Sequence, residues 1–205
     1  GLFSIHLAEQ QTSGRGRNTK KWVSPHGKNI YISFGWKSLL KHSQLDGLSL
    51  AVATCLIAAL KKFSSEELKI KWPNDLLINK KKISGILIET SDSKEGLDVV
   101  IGIGINVHMD ESEGADIDQS WGNLDELPSN KTDRNKIIVS IISEIHELFK
   151  EYPKSGFENY HQVFESHNQL KDKLCAVNTD KEALEGKVLG VNKSGELLFE
   201  RNGEI

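Results

Sequence analysis

Cysteine and methionine are scarce in this chain of 205 residues, which has two cysteines and one methionine. Cys55 and Cys175 lie far apart and form no C-x-x-C pair, which argues against a disulfide framework and indicates a reducing compartment. The longest apolar run lies within Leu48–Leu60 and is too short to cross a bilayer, and no stretch has the pattern of a signal peptide. We therefore expect a cytoplasmic protein without a membrane partner.

Charge of one sign is not in large excess either. Lysine and arginine together number 26, against 29 aspartates and glutamates, so the formal net charge is −3. A chain with this balance has no overall positive field that would recruit nucleic acid. Basic residues instead cluster locally, at Arg15–Lys21 and Lys69–Lys82.

Several common catalytic motifs are absent from the sequence. It contains no G-x-x-x-x-G-K-[ST], no H-E-x-x-H and no G-x-S-x-G, which excludes the enzyme classes that carry those signatures. The G-x-G of Gly102 and Gly104 does not extend to a dinucleotide fingerprint, because Val107 stands where a third glycine is needed. The seven histidines show no metal-ligand spacing.

Alternating and helical apolar patterns predict the order of the structural elements. The predicted strands are Leu2–Glu9, Asn29–Trp36, Leu68–Lys71, Leu76–Ile78, Lys82–Glu89 and Leu97–His108, and the predicted helices are Ser43–Phe63, Thr132–Lys150 and Ser155–Ser166. The acidic segment Met109–Leu127 is expected to be a surface loop. Beyond Asn168, three short strands predict a small β unit, and they are Lys173–Val177, Ala183–Val191 and Glu196–Arg201.

The segment Gln11–Trp22, here named the Gly/Arg loop, holds two glycines, two arginines and two lysines but no aliphatic side chain. It has nothing to bury, so we expect a loop between two strands. Gly14 and Gly16 would let the backbone approach a ligand. Arg15 and Arg17 carry planar guanidinium groups suited to carboxylate or phosphate, so we interpret the segment as an anion-binding loop. A solvated loop or a flexible RNA-contacting segment would have a similar composition.

A second candidate stretch is the strand Val99–Val107. Alternation puts its isoleucines on one face, which is apolar enough to belong to the core. The opposite face is nearly bare and consists of Val100, Gly102, Gly104 and Asn106. A flat ligand could therefore lie directly on the backbone. The alternative is that the glycines only make room for a neighbouring helix.

The third candidate stretch is Lys71–Lys82. Asn74 and Asp75 could bind a hydrated divalent ion or the edge of a nucleotide. Lys82 leads into an apolar strand and can point inward, where its charge has a larger effect. The alternative is an ordinary hairpin turn with solvated lysines, which we favour for the two lysines that precede Lys82.

Together these stretches form an ordered set of motifs that closely resembles the motifs of biotin protein ligases, in order and in spacing. The motifs are E-Q-Q-T-S-G-R-G-R at 9–17 with Lys21-Trp22, K-W-P-N-D at 71–75, K-I-S-G-I-L-I-E at 82–89 and I-G-I-G-I-N at 101–106. The resemblance covers essentially the whole chain. Each motif alone would be weak, but the ordered set is specific.

The resemblance implies an α/β (α+β) fold with a mixed β-sheet flanked by helices, as in a class II synthetase-like catalytic domain, followed by a small SH3-like β domain. We expect the catalytic domain to span residues 1–168 and the SH3-like domain residues 169–205. Family members carry a Ser-Thr-Asn biotin contact before the first strand and a basic segment with a further strand after the last one. We therefore expect both domains to be incomplete at their outer ends.

The resemblance also implies a two-step reaction. Biotin and ATP, with Mg²⁺, give biotinyl-5′-AMP and pyrophosphate, and the biotinyl group then passes to a lysine of a biotin carboxyl carrier protein or domain, as in acetyl-CoA carboxylase. The helix-turn-helix that some members place in front is not visible, so we expect no nucleic-acid contact through this chain. A homodimer is the oligomer that we consider.

Site residues follow from matching positions in the family motifs. The biotin side is expected to comprise Gln11, Arg15, Gly16, Arg17, Lys82, Gly85, Gly102 and Gly104, and the ATP side Trp22, Asn74, Asp75 and Asn106. The metal ligands stay unknown. We hypothesise that Arg17 and Lys82 bridge the carboxylate and the α-phosphate by electrostatic stabilisation, and that Asp75 receives the proton of the acceptor amine.

Two other functions remain open at the level of sequence. Lipoate ligases share the fold, although the K-W-P-N-D and paired Gly-Arg motifs favour biotin. A truncated, non-catalytic biotin-binding module would bind biotin without forming the adenylate.

Overall fold

The computed structural model describes residues 3–124, 133–178 and 182–205, and all structural statements refer to these residues. The strands are β1 (Phe3–Ala8), β2 (Ile30–Ser38), β3 (Leu68–Lys71), β4 (Asp75–Ile78), β5 (Lys81–Ser93), β6 (Gly96–Ile105), β7 (Leu174–Asn178), β8 (Ala183–Val191) and β9 (Leu197–Glu200), and the helices are α1 (Leu48–Leu60), α2 (Arg134–Ser155) and α3 (Glu158–His167). Parts of three predicted segments lie outside the described residues: Leu2, residues 125–127 of the acidic loop, and Thr132.

Six strands form the larger sheet, in the order β1-β2-β6-β5-β4-β3. This confirms the predicted α/β (α+β) fold class. The expected mixed sheet needs a correction, because every pairing between these strands is antiparallel. Within the described ranges, parallel pairing is limited to two isolated bridges, Ile70–Asn168 and Lys82–Trp121. Antiparallel strands need only short connections, such as the Asn79-Lys80 turn between β4 and β5, where both residues have positive φ.

One face of this sheet forms the hydrophobic core. The alternation in β2 and β6 places Ile32 and Phe34 beside Ile101 and Ile103, all of them at most 3% exposed. Side chains of α1 and α2 belong to the same buried cluster. Burying one such side chain stabilises the fold by roughly 1.5–3 kcal/mol. Because the helices cover this face, the opposite face remains available for a ligand.

Helix α1 begins at Leu48 and not at the predicted Ser43. Residues His42–Gln44 form a short 3₁₀ helix, and Gly47 has a φ of +78°, a left-handed conformation that interrupts helical geometry before Leu48. The stretch His42–Leu60 is long and apolar enough to cross a membrane by composition. However, α1 has only 13 residues, about 20 Å of helix, and eleven of them are buried inside the protein. Its apolar surface is therefore used in core packing.

Helix α2 runs five residues beyond the predicted end at Lys150. The Asp133 side chain caps its start by accepting a hydrogen bond from the amide of Asn135. The helix continues because Tyr152 is buried, with its hydroxyl donating to the carbonyl oxygen of Asp46 at 2.8 Å. Gly156, with a φ of +58°, then ends it.

Strands β7, β8 and β9 form a separate antiparallel sheet, here named the small sheet, as expected for an SH3-like unit. Helix α3 connects it to the rest of the protein. The Glu165 carboxylate accepts from the amide of Val191 at 2.8 Å, and the His161 ring lies 2.8 Å from the Val191 carbonyl oxygen. The domain division at residue 168 stays a prediction.

Candidate functional site

A cavity of about 920 Å³ lies between the Gly/Arg loop and the face of the larger sheet that carries no helix. Its floor is formed by β5 and β6, and one rim by the turn before β4. A segment at Asp116–Gln119 and one residue of the small sheet, Val177, complete its lining. Five basic and four acidic side chains line it: Arg15, Arg17, Lys20, Lys21 and Lys82, and Asp75, Glu89, Asp116 and Asp118.

Glycines make the floor of the cavity nearly bare. Gly85 of β5 pairs directly with Gly104 of β6, so two positions without side chains lie next to each other. A methyl group on Gly102 would meet only ordinary contacts, the nearest being the Leu87 carbonyl oxygen at 3.6 Å. The backbone at Gly102 is therefore open to whatever occupies the cavity, as the alternation in β6 predicts.

A β-bulge decides which way Lys82 points. The pairing of β4 with β5 shifts between Leu76 and Leu77, and β5 contains one extra residue there, Ile83. Because of this insertion, Lys82 faces the cavity together with Gly85, while Ile83 is buried in the core. Without the bulge, strict alternation would place Lys82 on the opposite side from Gly85.

Lys82 is held from several directions. Its Nζ lies 2.8 Å from the Asp75 Oδ1, in an ion pair whose side chains are 17% and 19% exposed. The same Nζ lies 5.5 Å from the ring centre of Trp22, a cation–π contact. Its backbone amide donates to the carbonyl oxygen of Ser120, and its carbonyl oxygen accepts from the amide of Gly122. The Lys82 cation is thus half-buried and fixed in place.

The Gly/Arg loop folds back on itself as a short hairpin. The amide of Trp22 donates to the Gly14 carbonyl oxygen at 2.9 Å, and the amide of Gly16 donates to the Lys20 carbonyl oxygen at 2.6 Å. Gly14 has to be glycine, since a methyl group there would lie 2.4 Å from the Trp22 carbonyl oxygen. This geometry presents the loop's basic side chains to the cavity.

The two loop arginines differ in their surroundings. The Arg15 Nη2 donates to the Glu89 Oε2 at 2.8 Å, in an ion pair whose side chains are 69% and 43% exposed. The Arg17 guanidinium has no hydrogen bond or ion pair with any residue that the structure describes. Arg17 is therefore available to an anion without breaking a contact, whereas Arg15 would have to leave Glu89.

The Trp22 indole lies flat on the glycine floor. A methyl group on Gly104 would come within 2.5 Å of its ring, and one on Gly85 within 3.1 Å. Its Nε1 is buried and has no hydrogen-bond partner among the described residues. A buried indole N–H without a partner costs free energy, so a ligand that offers an acceptor here would be favoured.

The rim turn Trp72–Asp75 is tied to β5 by a reciprocal pair of hydrogen bonds. The Asn74 Nδ2 donates to the Ile86 carbonyl oxygen at 2.8 Å, and the Ile86 amide donates to the Asn74 carbonyl oxygen at 3.0 Å. Asp75 then pairs with Gly85 in the sheet. The turn is as predicted, and its polar residues lie beside Lys82.

Eleven of the twelve predicted site residues line this one cavity: Gln11, Arg15, Gly16, Arg17, Trp22, Asn74, Asp75, Lys82, Gly85, Gly102 and Gly104. Asn106 does not. It is only 3% exposed, and its backbone forms hydrogen bonds with Ile83 and Leu124. Its side-chain oxygen accepts a hydrogen bond from the side-chain amide of Asn29 at 3.5 Å. The strand ends at Ile105, so the alternation that would have placed Asn106 beside Gly104 stops one residue too early.

Among the residues that line the cavity without having been predicted as site residues are Glu89, Asp116, Asp118 and Val177. Glu89 could have been found, because it follows Gly85 and Leu87 at a spacing of two on β5. The others lie in an irregular segment and in the small sheet, and no local pattern connects them to the site.

Tyr31 of β2 holds the segment that connects the Gly/Arg loop to β2. It pairs with Gly104 across the sheet, and its hydroxyl donates to the Pro25 carbonyl oxygen at 2.9 Å. Burial raises the pKa of Tyr31 to about 12, so the hydroxyl stays protonated at neutral pH and can donate this bond.

The arrangement suits the joining of two anions. Lys82 supplies a positive charge that is held at the floor, and Arg17 supplies one on the loop that also lines the cavity, which is large enough for a ligand of substantial size. No group of three or more His, Cys, Asp or Glu side chains suited to a metal ion occurs in the described ranges.

The sequence is similar to those of known biotin ligases. Residues 3–106 match the model of the biotin/lipoate A/B protein ligase family. The chain is 34% identical over 201 residues to the bifunctional ligase/repressor BirA of Escherichia coli, covering 97% of this chain and 62% of that protein. It is 36% identical over 110 residues to the biotin–[acetyl-CoA-carboxylase] ligase of Paracoccus denitrificans, covering 49% of this chain and 43% of that protein.

The fold is similar to that of a solved enzyme. The biotin protein ligase of Aquifex aeolicus in complex with biotin and ATP superposes with a TM-score of 0.81 at 27% identity, covering 98% of this chain and 83% of that chain. The chain spans less than two thirds of the length of the BirA proteins that it matches.

Proposed function

Because the chain belongs to the biotin/lipoate A/B protein ligase family, we propose that it is a biotin protein ligase. It would activate biotin with ATP to biotinyl-5′-AMP and transfer the biotinyl group to a lysine of a biotin carboxyl carrier domain. The observation that carries this proposal is the meeting of Arg17, Lys82 and the glycine floor in one cavity. The names of similar proteins, which specify biotin and acetyl-CoA carboxylase, support the choice of substrate.

In the first step, a carboxylate oxygen of biotin attacks the α-phosphorus of ATP, and the bond to the β-phosphate oxygen breaks to release pyrophosphate. Two anions must approach each other, so their repulsion has to be offset by fixed cations. Arg17 can reach an anion without breaking a contact, and Lys82 is already held at the floor. Both would stabilise the charge that develops on the phosphate.

We assign the biotin ring to the floor near Gly102, where an added methyl group would meet only ordinary contacts with Leu87. Gln11 and Arg15 lie at the loop side of the same cavity. The adenylate would lie towards Trp22, Asn74 and Asp75. This division is supported by the position of the indole, which covers Gly104 and Gly85 and leaves the floor at Gly102 uncovered.

Mg²⁺ fits the site as a companion of the nucleotide. The ion keeps several waters and takes one or two protein carboxylates together with substrate phosphates, so a ready-made cluster of ligands is not required. Asp75 is the carboxylate on the rim turn that could hold it, once its ion pair with Lys82 loosens. When bound, the ion would add positive charge beside the phosphates.

In the second step, the acceptor amine attacks the acyl carbon, and AMP leaves with the electrons of the acyl–oxygen bond. The amine must lose a proton, and we propose that Asp75 receives it. Asp75 already contacts one ammonium group, that of Lys82, at 2.8 Å, so its position suits a second amine.

The acceptor is proposed to be a biotin carboxyl carrier protein or domain. The free cysteines Cys55 and Cys175 agree with the proposed cytoplasmic location. The predicted homodimer, and the prediction that this chain contacts neither membrane nor nucleic acid, stay predictions.

The direct experiment is incubation of the chain with biotin, Mg²⁺-ATP and a purified carrier domain, followed by mass spectrometry of the carrier. We expect one biotinyl addition on one lysine, and none when ATP is omitted. Replacing biotin with lipoate tests the related ligase activity of the family, and lipoyl addition in place of biotinyl addition would overturn the proposed substrate. Biotin binding without pyrophosphate release would indicate a non-catalytic module.

A further inference from the structure

The small sheet contacts the cavity directly at one residue and indirectly through another, although it lies far from the catalytic motifs in sequence. Val177 of β7 lines the cavity itself. In addition, the Nε1 of Trp72 donates a hydrogen bond to the carbonyl oxygen of Gly195 at 3.1 Å. Trp72 opens the rim turn that carries Asn74 and Asp75, so the small sheet holds one end of a turn that borders the site.

The residues around Gly195 form a tight turn that is held by hydrogen bonds to Asn192. The Asn192 side chain accepts from the amides of Ser194 and Glu196, at 2.9 and 3.0 Å, and the Asn192 carbonyl oxygen accepts from the amide of Gly195. Gly195 has a φ of +84°, which favours glycine. The position of its carbonyl group is therefore set by the turn and not by Trp72.

This turn is also packed against the start of α1. A methyl group on Gly195 would lie 2.8 Å from the Cα of Gly47, and one on Gly47 would lie 2.6 Å from the Cβ of Phe157 and 2.9 Å from the Ser194 carbonyl oxygen. Two glycines thus allow the backbones of the small sheet and of α1 to approach closely. Neither backbone can shift without disturbing the other.

The other end of the rim turn is attached to the reacting centre. Asn74 is bonded to Ile86, and Asp75 is ion-paired with Lys82. The rim turn is therefore held at both ends, by the hydrogen bond to Gly195 on one side and by the contacts with β5 on the other. If the Gly195 anchor moves, Asn74 and Asp75 lose part of what fixes them relative to Lys82.

We propose that the Asn192–Gly195 turn of the small sheet is a positioning element for the site, acting through Trp72 on the nucleotide side of the cavity. The positioning role follows from the contacts of Trp72, Asn74 and Gly195, and its assignment to the nucleotide rests on the proposed function. Trp72 and Gly195 are positioning residues. The small sheet would then contribute to adenylate formation as well as to the stability of the fold.

The chain offers a matched pair of glycines for the test. Gly195→Ala introduces a methyl group at a φ of +84° against the Gly47 backbone, whereas Gly203→Ala introduces one at a φ of +83° with no atom of the described residues within 4 Å. Both variants introduce similar backbone strain, one in the turn before β9 and one in the turn after it, but only the first displaces the Asn192–Gly195 turn. Trp72→Phe removes the indole N–H and leaves Gly195 unchanged, so it tests the contact even if Gly195→Ala fails to fold.

The first measurement is the ¹H–¹⁵N NMR spectrum, which does not depend on activity. The chain has four tryptophans, and the indole signal lost in Trp72→Phe identifies Trp72. We expect Gly195→Ala to shift that indole signal and the amide signals of Asn74 and Asp75, and Trp72→Phe to shift the same two amides, while Gly203→Ala leaves all three unchanged. Unshifted Asn74 and Asp75 amides in Trp72→Phe, or equal shifts in both glycine variants, would overturn the positioning role.

The second measurement is the kinetics of biotin-dependent pyrophosphate release. We expect Gly195→Ala and Trp72→Phe to lower kcat/KM for ATP by about fivefold to tenfold, the effect of one lost hydrogen bond of ordinary strength, with the KM for biotin nearly unchanged. An equal effect on both substrates would show a general structural role and overturn the assignment to the nucleotide. If the unmodified chain releases no pyrophosphate, the proposed function fails, and the NMR result still decides the positioning role.

Discussion

The floor of the cavity is half-buried and tightly connected, whereas the Gly/Arg loop above it is largely exposed and held by a few backbone hydrogen bonds. The two ion pairs of the site show the same difference. Lys82 and Asp75 are 17% and 19% exposed, and Arg15 and Glu89 are 69% and 43% exposed. A pair in water contributes little and exchanges partners readily, while a half-buried pair is costly to break.

Because of this difference, the floor and the Gly/Arg loop would contribute to the reaction in different ways. The floor provides a charge whose position is fixed before any ligand arrives, which is what electrostatic stabilisation of a reaction requires. The loop provides charges that can move onto a ligand at low cost and exclude water from it. Substitutions in the floor should therefore have larger effects than matched substitutions in the loop.

The largest effect is expected for Lys82→Met. It removes the fixed cation, and we expect kcat/KM for pyrophosphate release to fall by about 10²–10³-fold. Lys80→Met, on the exposed turn of the same hairpin, is the matched control and should retain normal activity. Because Lys82→Met leaves the Asp75 carboxylate without its cation, the urea midpoint of this variant is measured alongside its activity and separates lost stability from lost charge. A Lys82→Met enzyme with normal kcat/KM would show that the floor cation is not used.

A smaller but clear effect is expected for Gly104→Ala. The added methyl group would overlap the Trp22 ring, so the indole has to leave the floor, and overpacking of this kind costs about 1–3 kcal/mol of stability. Gly102→Ala provides a comparison, since its methyl group meets only ordinary contacts. We expect a lower urea midpoint and altered tryptophan fluorescence in Gly104→Ala but not in Gly102→Ala. Gly102→Ala should instead raise the KM for biotin, because it fills space that we assign to the ring.

Glu89→Gln tests the exposed pair of the loop. It releases Arg15 from its carboxylate partner, and since exposed pairs contribute at most about 1 kcal/mol, the free energy of unfolding should change by less than that. We expect the KM for biotin to stay the same or to fall a few-fold at low salt, with the difference disappearing as ionic strength rises. A rise in the KM for biotin would mean that Glu89 itself contributes to binding.

The smallest effect at neutral pH is expected for Tyr31, which pairs with Gly104 of the floor and bonds to Pro25 after the Gly/Arg loop. Its pKa is raised from 10.0 to about 12, so between these values the unfolded chain loses a proton that the folded chain keeps, and stability falls as pH rises through this window. The pKa values of Tyr152 and Tyr160 are also raised by burial and act in the same direction. Urea unfolding at about pH 8 and about pH 11 should show a smaller loss for Tyr31→Phe than for the unmodified chain.

The floor was largely predictable from sequence because it consists of two paired strands. Alternation in β6 separates the isoleucines from Gly102 and Gly104, and the structure keeps that separation. Lys82 lies in the same cavity as the other predicted residues, but the reason for its orientation was not visible in the sequence, since the extra residue in β5 that turns it is defined only by pairing with β4. Asn106 was assigned to the same face by continuing an alternation that the structure ends at Ile105.

The loop and the rim were predictable only in part. Composition identified the loop as basic and free of core residues, but the carboxylate that pairs with Arg15 is 74 residues away. The contribution of the small sheet depends on one hydrogen bond between residues 123 positions apart, Trp72 and Gly195. Such contacts are created by tertiary packing, and no local pattern in the sequence records them.

The most direct test of the central claim is pyrophosphate release by the unmodified chain and by the double variant Arg17→Ala with Lys82→Ala, each with and without biotin. The account predicts release from the unmodified chain only when biotin and Mg²⁺-ATP are both present, and loss of nearly all of it in the double variant while the variant remains folded. Release from the folded double variant at the unmodified rate would contradict the claim that these two cations bring the acid and the nucleotide together.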